Sequence, residues 1–308
     1  MCATCGCGDE SGTRVTLLSA PTTASHSAHE HSTHEHSGHE HSGHEHSDHE
    51  HHRQHADGPD HDHSGHHHRN GAAAAGADRT VMLEQQILAK NATLAGGNRR
   101  WLEDRGVLAI NLMSSPGSGK TTLLERTIAS LGDSHPIAVI EGDQETPMDA
   151  MRIRAAGSPV VQINTGAGCH LDAAMVLTAL QALDPAPGTL LFIENVGNLV
   201  CPALFDLGEA YRVVLSAVTE GADKPMKYPH MFTGADLVLI NKMDLLPYVD
   251  FDVDRFSGDV HRLNARAEIL PVTATAPGGL TQWVQWLTRA LADHRRSDDH
   301  LDTVVHRG

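Results

Sequence analysis

A glycine-rich segment has the residue types and the spacing needed to hold phosphate groups. It reads Ser114-Ser-Pro-Gly-Ser-Gly-Lys-Thr-Thr122 and follows the apolar run 107–113. This fits the pattern G-x-x-x-x-G-K-[ST], except that Ser114 replaces the first glycine. Glycines without a Cβ let backbone N–H groups close around phosphate oxygens, the lysine reaches the β- and γ-phosphates, and the next hydroxyl binds Mg²⁺. The segment predicts nucleotide binding by Gly117, Ser118, Gly119, Lys120, Thr121 and Thr122.

A second motif selects the base. Asn241-Lys-Met-Asp244 follows the apolar strand 236–240 and resembles the guanine-specificity motif of GTPases. Asp244 can accept hydrogen bonds from the N1–H and 2-amino groups of guanine, and adenine offers neither donor there. Lys242 would lie along the base, and Asn241 would tie the loop together. The segment with Thr273 and Ala274 resembles a loop that supports guanine through a backbone N–H, so GTP is the predicted nucleotide.

Carboxylates at the ends of two strands predict a magnesium site. Glu194 ends the strand 189–194 and precedes Gly197 by three residues, the layout of a Walker B strand and a γ-phosphate-sensing glycine. Asp143 ends the strand around Ile140-Glu141, and Mg²⁺ prefers oxygen ligands. Which carboxylate contacts the ion stays open at this point. No glutamine is placed to orient water, so slow hydrolysis is expected. The residues predicted to serve catalysis are Lys120, Thr121, Asp143 and Glu194.

Cys169, His170 and Cys201 form a candidate metal site. The pair Cys169-His170 follows the strand 159–164, and Cys201 lies seven residues after Glu194, so both lie near one edge of the sheet. Each alone is more often an incidental residue. Together they offer sulfur and nitrogen donors that suit Ni²⁺ or Zn²⁺, with an open shell closed by water or by a symmetry-related subunit. If Gly197 moves when the γ-phosphate is lost, Cys201 moves with it and changes the metal geometry.

The N-terminal segment carries two further metal-binding patterns. Cys2, Cys5 and Cys7 form C-x-x-C-x-C, in which three thiolates can bind one cation; a redox dithiol is the alternative. Residues 26–68 hold 18 of the 25 histidines, partly in the repeat His-Glu-His-Ser-Gly. Imidazoles suit Ni²⁺, Zn²⁺ and Cu²⁺, and a cloning tag fits poorly because the histidines alternate with other residues.

Alternating strand and helix patterns predict an α/β fold, a P-loop NTPase with a mostly parallel sheet and helices on both faces. Residues 1–78 are predicted to form a disordered metal-binding tail and residues 79–308 the nucleotide-binding domain. The first helix is expected to begin near Asp78 or Thr80 and to be interrupted at residues 95–98. The next predicted helix begins near Leu123, and four more cover 147–156, 170–183, 252–266 and 279–293. The further predicted strands are 136–141, 212–218, 236–241 and 268–273.

The composition limits the partners. A formal net charge of −16 argues against nucleic acid and anionic membranes as partners. No apolar run approaches the length of a membrane span, and the first residues lack the apolar region of a signal peptide, so a cytoplasmic location is expected.

The motifs together resemble the HypB family, the nickel-incorporation GTPases of hydrogenase maturation. The resemblance covers essentially the whole chain and includes T-G-x-G-C-H-L-D, D-K-P-x-K-Y-P and the specific string Glu194-Asn-Val-Gly-Asn-Leu-Val-Cys-Pro202. It implies a GTPase that dimerises with nucleotide or metal, receives or stores Ni²⁺, and helps deliver it to the precursor of a [NiFe]-hydrogenase large subunit. It also implies a small nickel-binding maturation partner. By the same resemblance, Cys2, Cys5 and Cys7 match an N-terminal nickel site, and Cys169, His170 and Cys201 match a metal site of the GTPase domain.

Two other functions remain open at this stage. The first is nickel storage, with the His-rich tract as the main site and a regulatory GTPase domain. The second is a related GTPase that serves urease or cobalamin enzymes, against which the cysteine motifs argue. A signalling or translation GTPase would not explain the clustered histidines.

Overall fold

The computed structural model describes the backbone of residues 13–18 and 70–305, and the side chains of 13–18 and 82–296. Cys2, Cys5, Cys7 and the His-rich tract lie outside these ranges. Contacts divide the chain into two units, Met1–Pro21 with Met82–Gly308, and Thr22–Val81. Of the second unit only helical residues 70–81 are described. Among the described residues, no helix is both long and apolar enough to cross a membrane.

Within the described residues, eight strands form one sheet in the order β1-β4-β3-β5-β2-β6-β7-β8. All neighbours pair in parallel except β1 and β4, which are antiparallel. The predicted fold class is therefore confirmed. The strands are β1 Arg14–Leu18, β2 Leu108–Ser114, β3 Ile137–Asp143, β4 Val160–Asn164, β5 Leu190–Glu194, β6 Tyr211–Ala217, β7 Leu237–Asn241 and β8 Glu268–Pro271.

The helices connect the strands and cover both faces of the sheet. They are α1 Asn70–Glu103, α2 Lys120–Leu131, α3 Met148–Ala155, α4 Ala173–Leu183, α5 Lys224–Lys227, α6 Pro229–Thr233, α7 Val253–Leu263 and α8 Thr281–Val305. In the part of the chain that the structure describes, short 3-10 helices cover Cys201–Leu204, Val218–Glu220 and Met243–Tyr248.

Alternate side chains of the strands face two different layers of the core. In β2, Leu108 and Ile110 pack into the layer that includes α2 and α8, whereas Ala109 packs into the layer with α4 and the end of α1. A third apolar cluster lies between β6, β7 and α7. Because strands covered on both faces expose neither side, their sequences are continuous apolar runs.

Helix α1 is continuous where the sequence predicted an interruption, and it begins at Asn70, earlier than expected. Gly96 and Gly97 lower helix propensity, but tertiary contacts outweigh that cost. Asn98 is fully buried, and its side-chain N–H group donates to the backbone oxygens of Ala173 and Leu207. These bonds hold the helix on the domain beyond the glycine pair.

Strand β1 lies inside the segment that was predicted to be a tail. Arg14–Leu18 adds to the sheet edge, where Arg14 pairs with Asn164 and Leu18 with Val160. Five residues that alternate only weakly between apolar and polar give little periodic signal. The prediction of disorder is therefore wrong for this stretch, and the division at residues 78 and 79 stays a prediction.

Candidate functional site

The predicted phosphate-binding segment is a tight turn between β2 and α2. Gly117 and Gly119 have φ values of 73° and 103°, which L side chains rarely adopt. A Cβ on Gly119 would lie 2.7 Å from the Asn241 side-chain nitrogen. The turn leads directly into Lys120, the first residue of α2. The turn and the N-terminus of this helix line a cavity, where the helix N–H groups favour an anion.

Lys120 is buried, and Ser114 explains the departure from the glycine pattern. The Lys120 ammonium donates to the Ser114 hydroxyl at 2.8 Å, an acceptor that glycine would not offer. Burial lowers the pKa of Lys120, while the charges of Glu194, Asp149 and Glu141 oppose that shift. The cation is thus held next to the turn.

Two carboxyl groups lie side by side at the ends of β3 and β5. Glu141 pairs in register with Glu194, and the Thr121 hydroxyl donates to Glu194 at 2.9 Å. Burial raises the pKa of Glu194 to about 7; burial and then the charge of Glu194 raise the pKa of Glu141 to about 9. Sequence reasoning missed Glu141 as a site residue, because its place beside Glu194 depends on the register between β3 and β5.

These carboxyl groups fit a hard divalent cation. The Oε2 atoms of Glu141 and Glu194 are buried and have no hydrogen-bond partner within the described part of the chain. Oxygen donors of this kind are the ligands that Mg²⁺ prefers. They line a cavity of about 510 Å³ together with Lys120 and Thr121.

Asp143 also lines this cavity, and its neighbours hold it in the charged form. Burial alone would raise the pKa of Asp143, but hydrogen bonds from the backbone of Thr146, Gln144 and Glu145 outweigh burial and lower it. The Thr146 backbone N–H donates to the Asp143 carboxylate at 2.8 Å. Asp143 is thus a partly exposed carboxylate at the mouth of the cavity.

Helix α3 contributes two charged residues that the motifs did not reveal. Asp149 and Arg152 line the same cavity. Arg152 pairs with Glu125 at 2.6 Å and with Asp149 at 3.0 Å, and it donates to the Thr122 hydroxyl at 3.1 Å. No motif marks these positions, because only the packing of α3 on α2 brings them to the cavity.

Asn241 joins three loops at the predicted base site. Its side-chain nitrogen donates to the Ser118 backbone oxygen at 2.8 Å, and its side-chain oxygen accepts from the Ala274 backbone N–H at 3.2 Å. Lys242 has a φ of 60° and donates to the Gly117 backbone oxygen at 2.7 Å. Asp244 is exposed, so its carboxylate is accessible to accept hydrogen bonds from an incoming base. Thr273, which precedes Ala274, is partly exposed.

Residues after β6 brace the phosphate-binding turn, and sequence reasoning gave them no role. The Ser115 hydroxyl donates to the Glu220 carboxylate at 3.0 Å, and the Lys224 ammonium lies 3.0 Å from the same hydroxyl. The D-K-P-x-K-Y-P string, which contains Lys224, was the only signal in the sequence.

Cys169, His170 and Cys201 come together as the sequence predicted. One ligand atom from each lies within 4.8 Å of the others, with the two sulfur atoms 2.9 Å apart. Burial lowers the pKa of His170, against the charge of Asp172, so the imidazole is neutral and able to bind a metal. Its ring stacks on Phe205, with the ring centroids 3.9 Å apart.

One segment joins the nucleotide cavity to this cysteine–histidine cluster. The Asn195 side-chain oxygen accepts from the Leu171 backbone N–H at 3.2 Å, and the Asn198 side chain donates to the Cys169 backbone oxygen at 3.3 Å. Between them, a Cβ on Gly197 would lie 3.1 Å from Pro116 of the phosphate-binding turn. Residues 194–201 therefore touch both sites.

Comparisons with known proteins agree with this architecture. The nucleotide-binding domain of the CobW/HypB/UreG family matches residues 108–271. The hydrogenase maturation factor HypB of Azotobacter vinelandii is 52% identical over 242 residues, 79% of this chain and 80% of the relative. The HypB protein of Escherichia coli strain K12 is 54% identical over 219 residues, 70% of this chain and 76% of the relative.

Solved structures show the same fold. The crystal structure of HypB from Archaeoglobus fulgidus has a TM-score of 0.62 and 42% identity, covering 66% of this chain and 99% of that one. The structure of HypB from Helicobacter pylori in complex with nickel has a TM-score of 0.62 and 40% identity, covering 66% of this chain and 96% of that one.

Proposed function

Because the chain belongs to the HypB family of hydrogenase maturation factors, we propose that it is a GTP-hydrolysing nickel metallochaperone. GTP hydrolysis gates the insertion of Ni²⁺ into the large subunit of [NiFe]-hydrogenase. The observation that carries the proposal is the continuous segment from Glu194 to Cys201, which takes part in both the nucleotide cavity and the cysteine–histidine cluster. The nickel-bound relative from Helicobacter pylori supports the choice of metal.

The residues of the cavity suit binding and slow hydrolysis of GTP. Backbone N–H groups around Gly117 and Gly119 and the Lys120 ammonium bind the phosphates, and Asp244 selects guanine. Thr121 and Glu194 would hold Mg²⁺, with Glu141 or Asp143 as a further oxygen partner. A bound ion there would supply positive charge to neutralise the charge that develops on the phosphates during hydrolysis.

Gly197 couples the bound nucleotide to the metal site. Its backbone packs against the phosphate-binding turn, so a shift on loss of the γ-phosphate moves the segment that carries Asn198 and Cys201. Neutral His170 and the thiolates of Cys169 and Cys201 bind Ni²⁺, and Zn²⁺ is the alternative ion at this site. Three ligands leave the coordination shell of the metal incomplete, which is consistent with a homodimer whose second subunit completes it. The role of the family in hydrogenase maturation implies two further partners, a small nickel-binding protein and the hydrogenase precursor.

Nickel loading of hydrogenase tests the proposal. The full chain would be expressed in a [NiFe]-hydrogenase-producing strain that lacks its own HypB protein, and nickel in the purified large subunit would be measured by elemental mass spectrometry. We expect Lys120→Ala and Cys201→Ala each to reduce nickel content at least tenfold. Arg126→Ala, which changes an exposed cation on the same helix as Lys120, is the control. Normal nickel content in Lys120→Ala, with nickel still retained by the chain, would favour storage instead.

Urease is a second candidate target. A relative from Helicobacter hepaticus, 44% identical over 195 residues, is named a hydrogenase/urease maturation factor. Measuring urease as well as hydrogenase activity in a strain deleted for the protein decides between them. Loss of urease activity alone would contradict the hydrogenase assignment.

A further inference from the structure

Two buried asparagines of α1 lie on the face of the helix that packs against the rest of the domain. Asn91 and Asn98 are about two helical turns apart, and buried Ala95 lies between them on the same face. Gly208, in the connection between β5 and β6, lets this face approach closely, because a Cβ there would lie 2.7 Å from the Asn98 Cβ. Helix α1 is thus fitted tightly to the β5–β6 connection.

Each asparagine joins the start of α4 to the β5–β6 connection. The Asn91 side chain accepts from the Ala173 backbone N–H at 2.8 Å and donates to the Asp206 backbone oxygen at 2.7 Å. The Asn98 side chain donates to the backbone oxygens of Ala173 and Leu207, at 2.9 and 3.0 Å. Two segments that are distant in the sequence are therefore linked twice through α1.

Arg99, the next residue of α1, strengthens the contact with the β5–β6 connection. Its guanidinium donates to both oxygens of the Asp206 carboxylate, at 2.7 and 3.0 Å, and the Gly208 backbone N–H donates to the same carboxylate at 2.9 Å. Burial alone would raise the pKa of Asp206, but the hydrogen bonds from Arg99 and Gly208 lower it, so the pair is ionic. Charge-assisted hydrogen bonds from arginine to a carboxylate are strong and directional.

The segments that α1 links are those that carry the cysteine–histidine cluster. Cys169 and His170 lie just before α4, and Cys201 lies in the β5–β6 connection, five residues before Asp206. Phe205, next to Asp206, stacks on the His170 ring with the ring centroids 3.9 Å apart. Helix α1 therefore joins the two halves of the cluster, Cys169–His170 and Cys201, and holds the residue that packs on the imidazole.

We propose that α1 positions the metal ligands: the side chains of Asn91, Asn98 and Arg99 keep the two halves of the cluster close enough to bind one ion. They are positioning residues, since they act through Ala173 and Asp206, one of which follows each half. Loosening α1 from either residue lets the halves separate and lowers the affinity for the metal. This inference rests on the proposed binding of nickel by the cluster.

Nickel affinity at the cluster tests the role of these side chains. The parent protein is the full-length chain with its three N-terminal cysteines changed to Ser, titrated with Ni²⁺ by sulfur-to-nickel charge-transfer absorption. We expect Asn91→Ala and Arg99→Ala each to lower the affinity about tenfold, the lower end of the effect of residues that orient metal ligands. Arg99→Lys, which can still pair with Asp206, should keep most of the affinity. Arg100→Ala, which removes the exposed neighbouring cation, is the matched control and should follow the parent protein.

A second measurement, made without metal, tests the positioning itself. Dibromobimane becomes fluorescent when it joins two neighbouring thiols, so its reaction with the metal-free parent protein reports how close Cys169 stays to Cys201. We expect this bridging to slow several-fold in Asn91→Ala and in Arg99→Ala, and to be unchanged in Arg100→Ala. GTP affinity should be unchanged in all three variants, because the nucleotide cavity is not lined by the described residues of α1.

The outcomes separate this inference from the proposed function. Slower bridging together with lower nickel affinity, at unchanged GTP affinity, supports positioning by α1. Bridging or nickel affinity that equals the parent value in both alanine variants overturns the inference and leaves the proposed function intact. A parallel loss of GTP affinity, which would indicate a general loosening of the domain, does the same. Absence of the charge-transfer signal in the parent protein overturns both.

Discussion

Glu141 and Glu194, the paired carboxyl groups of the nucleotide cavity, differ in how well the sequence predicts them. The sequence predicted Glu194 from its place before Gly197, because a strand-end carboxylate followed by glycine is a recognisable pattern. Glu141 was missed, since its role depends on the register between β3 and β5, which no local pattern reveals. The two carboxyl groups together predict a specific dependence of stability on pH.

In the absence of nucleotide and Mg²⁺, the free energy of unfolding should fall as pH rises from about 5 to 9. The unfolded chain releases these carboxyl protons near pH 4.5, whereas the folded chain keeps them until about pH 7 at Glu194 and about 9 at Glu141. The folded state thus binds more protons in this window, and each group contributes a slope of up to about 1.4 kcal/mol per pH unit. Urea unfolding of wild type and of the double variant Glu141→Gln/Glu194→Gln should show a flatter dependence in the variant. Glu145→Gln, an exposed neighbour, should follow wild type; a double variant that also follows wild type would refute the assignment.

Asp244 carries the prediction of base specificity. Replacing it in Asp244→Asn removes one acceptor for the guanine donors, and we expect GTP affinity to fall tenfold or more, about 1.4 kcal/mol. The amide can instead pair with the 2-oxo group of xanthine, so the affinity for XTP should rise. Competition against a fluorescent GDP analogue measures both affinities. Exposed Asp250→Asn is the control, and an unchanged preference for GTP over XTP in Asp244→Asn would place the base elsewhere.

Helices and strands were easier to predict from the sequence where their apolar residues recur with a strong period than where tertiary contacts determine the structure. The buried strands β2 to β7 and the helices α2 to α4 lie close to their predicted positions because apolar runs and turn residues mark them. Helix α1 continues through a glycine pair, and β1 forms from a short, weakly patterned stretch. Both depend on partners distant in sequence, Leu207 for α1 and Asn164 for β1.

Asn98 should therefore be a major stabilising residue of α1. Asn98→Ala leaves the backbone oxygens of Ala173 and Leu207 without their buried donor, which costs about 1–3 kcal/mol of unfolding free energy. Chemical denaturation with GDP absent measures this loss. Arg100→Ala, an exposed change on the same helix, should have an effect below about 0.5 kcal/mol. Equal effects of the two changes would mean that the buried amide does not hold the helix.

Gating of nickel by GTP, as proposed here, requires communication between the nucleotide cavity and the cysteine–histidine cluster across the whole GTPase domain. The sequence indicated their proximity through strand ends, but the contacts of Asn195 and Asn198 required the folded loops. Neither asparagine could be assigned a role from its spacing alone, because the backbone groups that they contact lie 24 and 29 residues away in the chain.

Asn198 should transmit nucleotide state to the metal. In Asn198→Ala the hydrogen bond to the Cys169 oxygen is lost, and we expect Ni²⁺ affinity to become the same with GDP and with a non-hydrolysable GTP analogue. GTP affinity should change less than threefold, since Asn198 does not line the nucleotide cavity. Equilibrium titrations of both ligands measure this. A nucleotide effect on nickel that persists at its wild-type size would exclude Asn198 from the coupling.

Gating of nickel by GTP is tested most directly by measuring the Ni²⁺ affinity of the cysteine–histidine cluster in two nucleotide states. Full-length protein with Cys2, Cys5 and Cys7 changed to Ser would be titrated with Ni²⁺ in GDP and in the GTP analogue, following sulfur-to-nickel charge-transfer absorption, which nickel bound by histidines alone does not produce. We predict a several-fold difference in affinity, about 1 kcal/mol of coupling or more, and loss of the signal in Cys201→Ala. Identical affinities in the two states would contradict the claim that GTP gates nickel at this site.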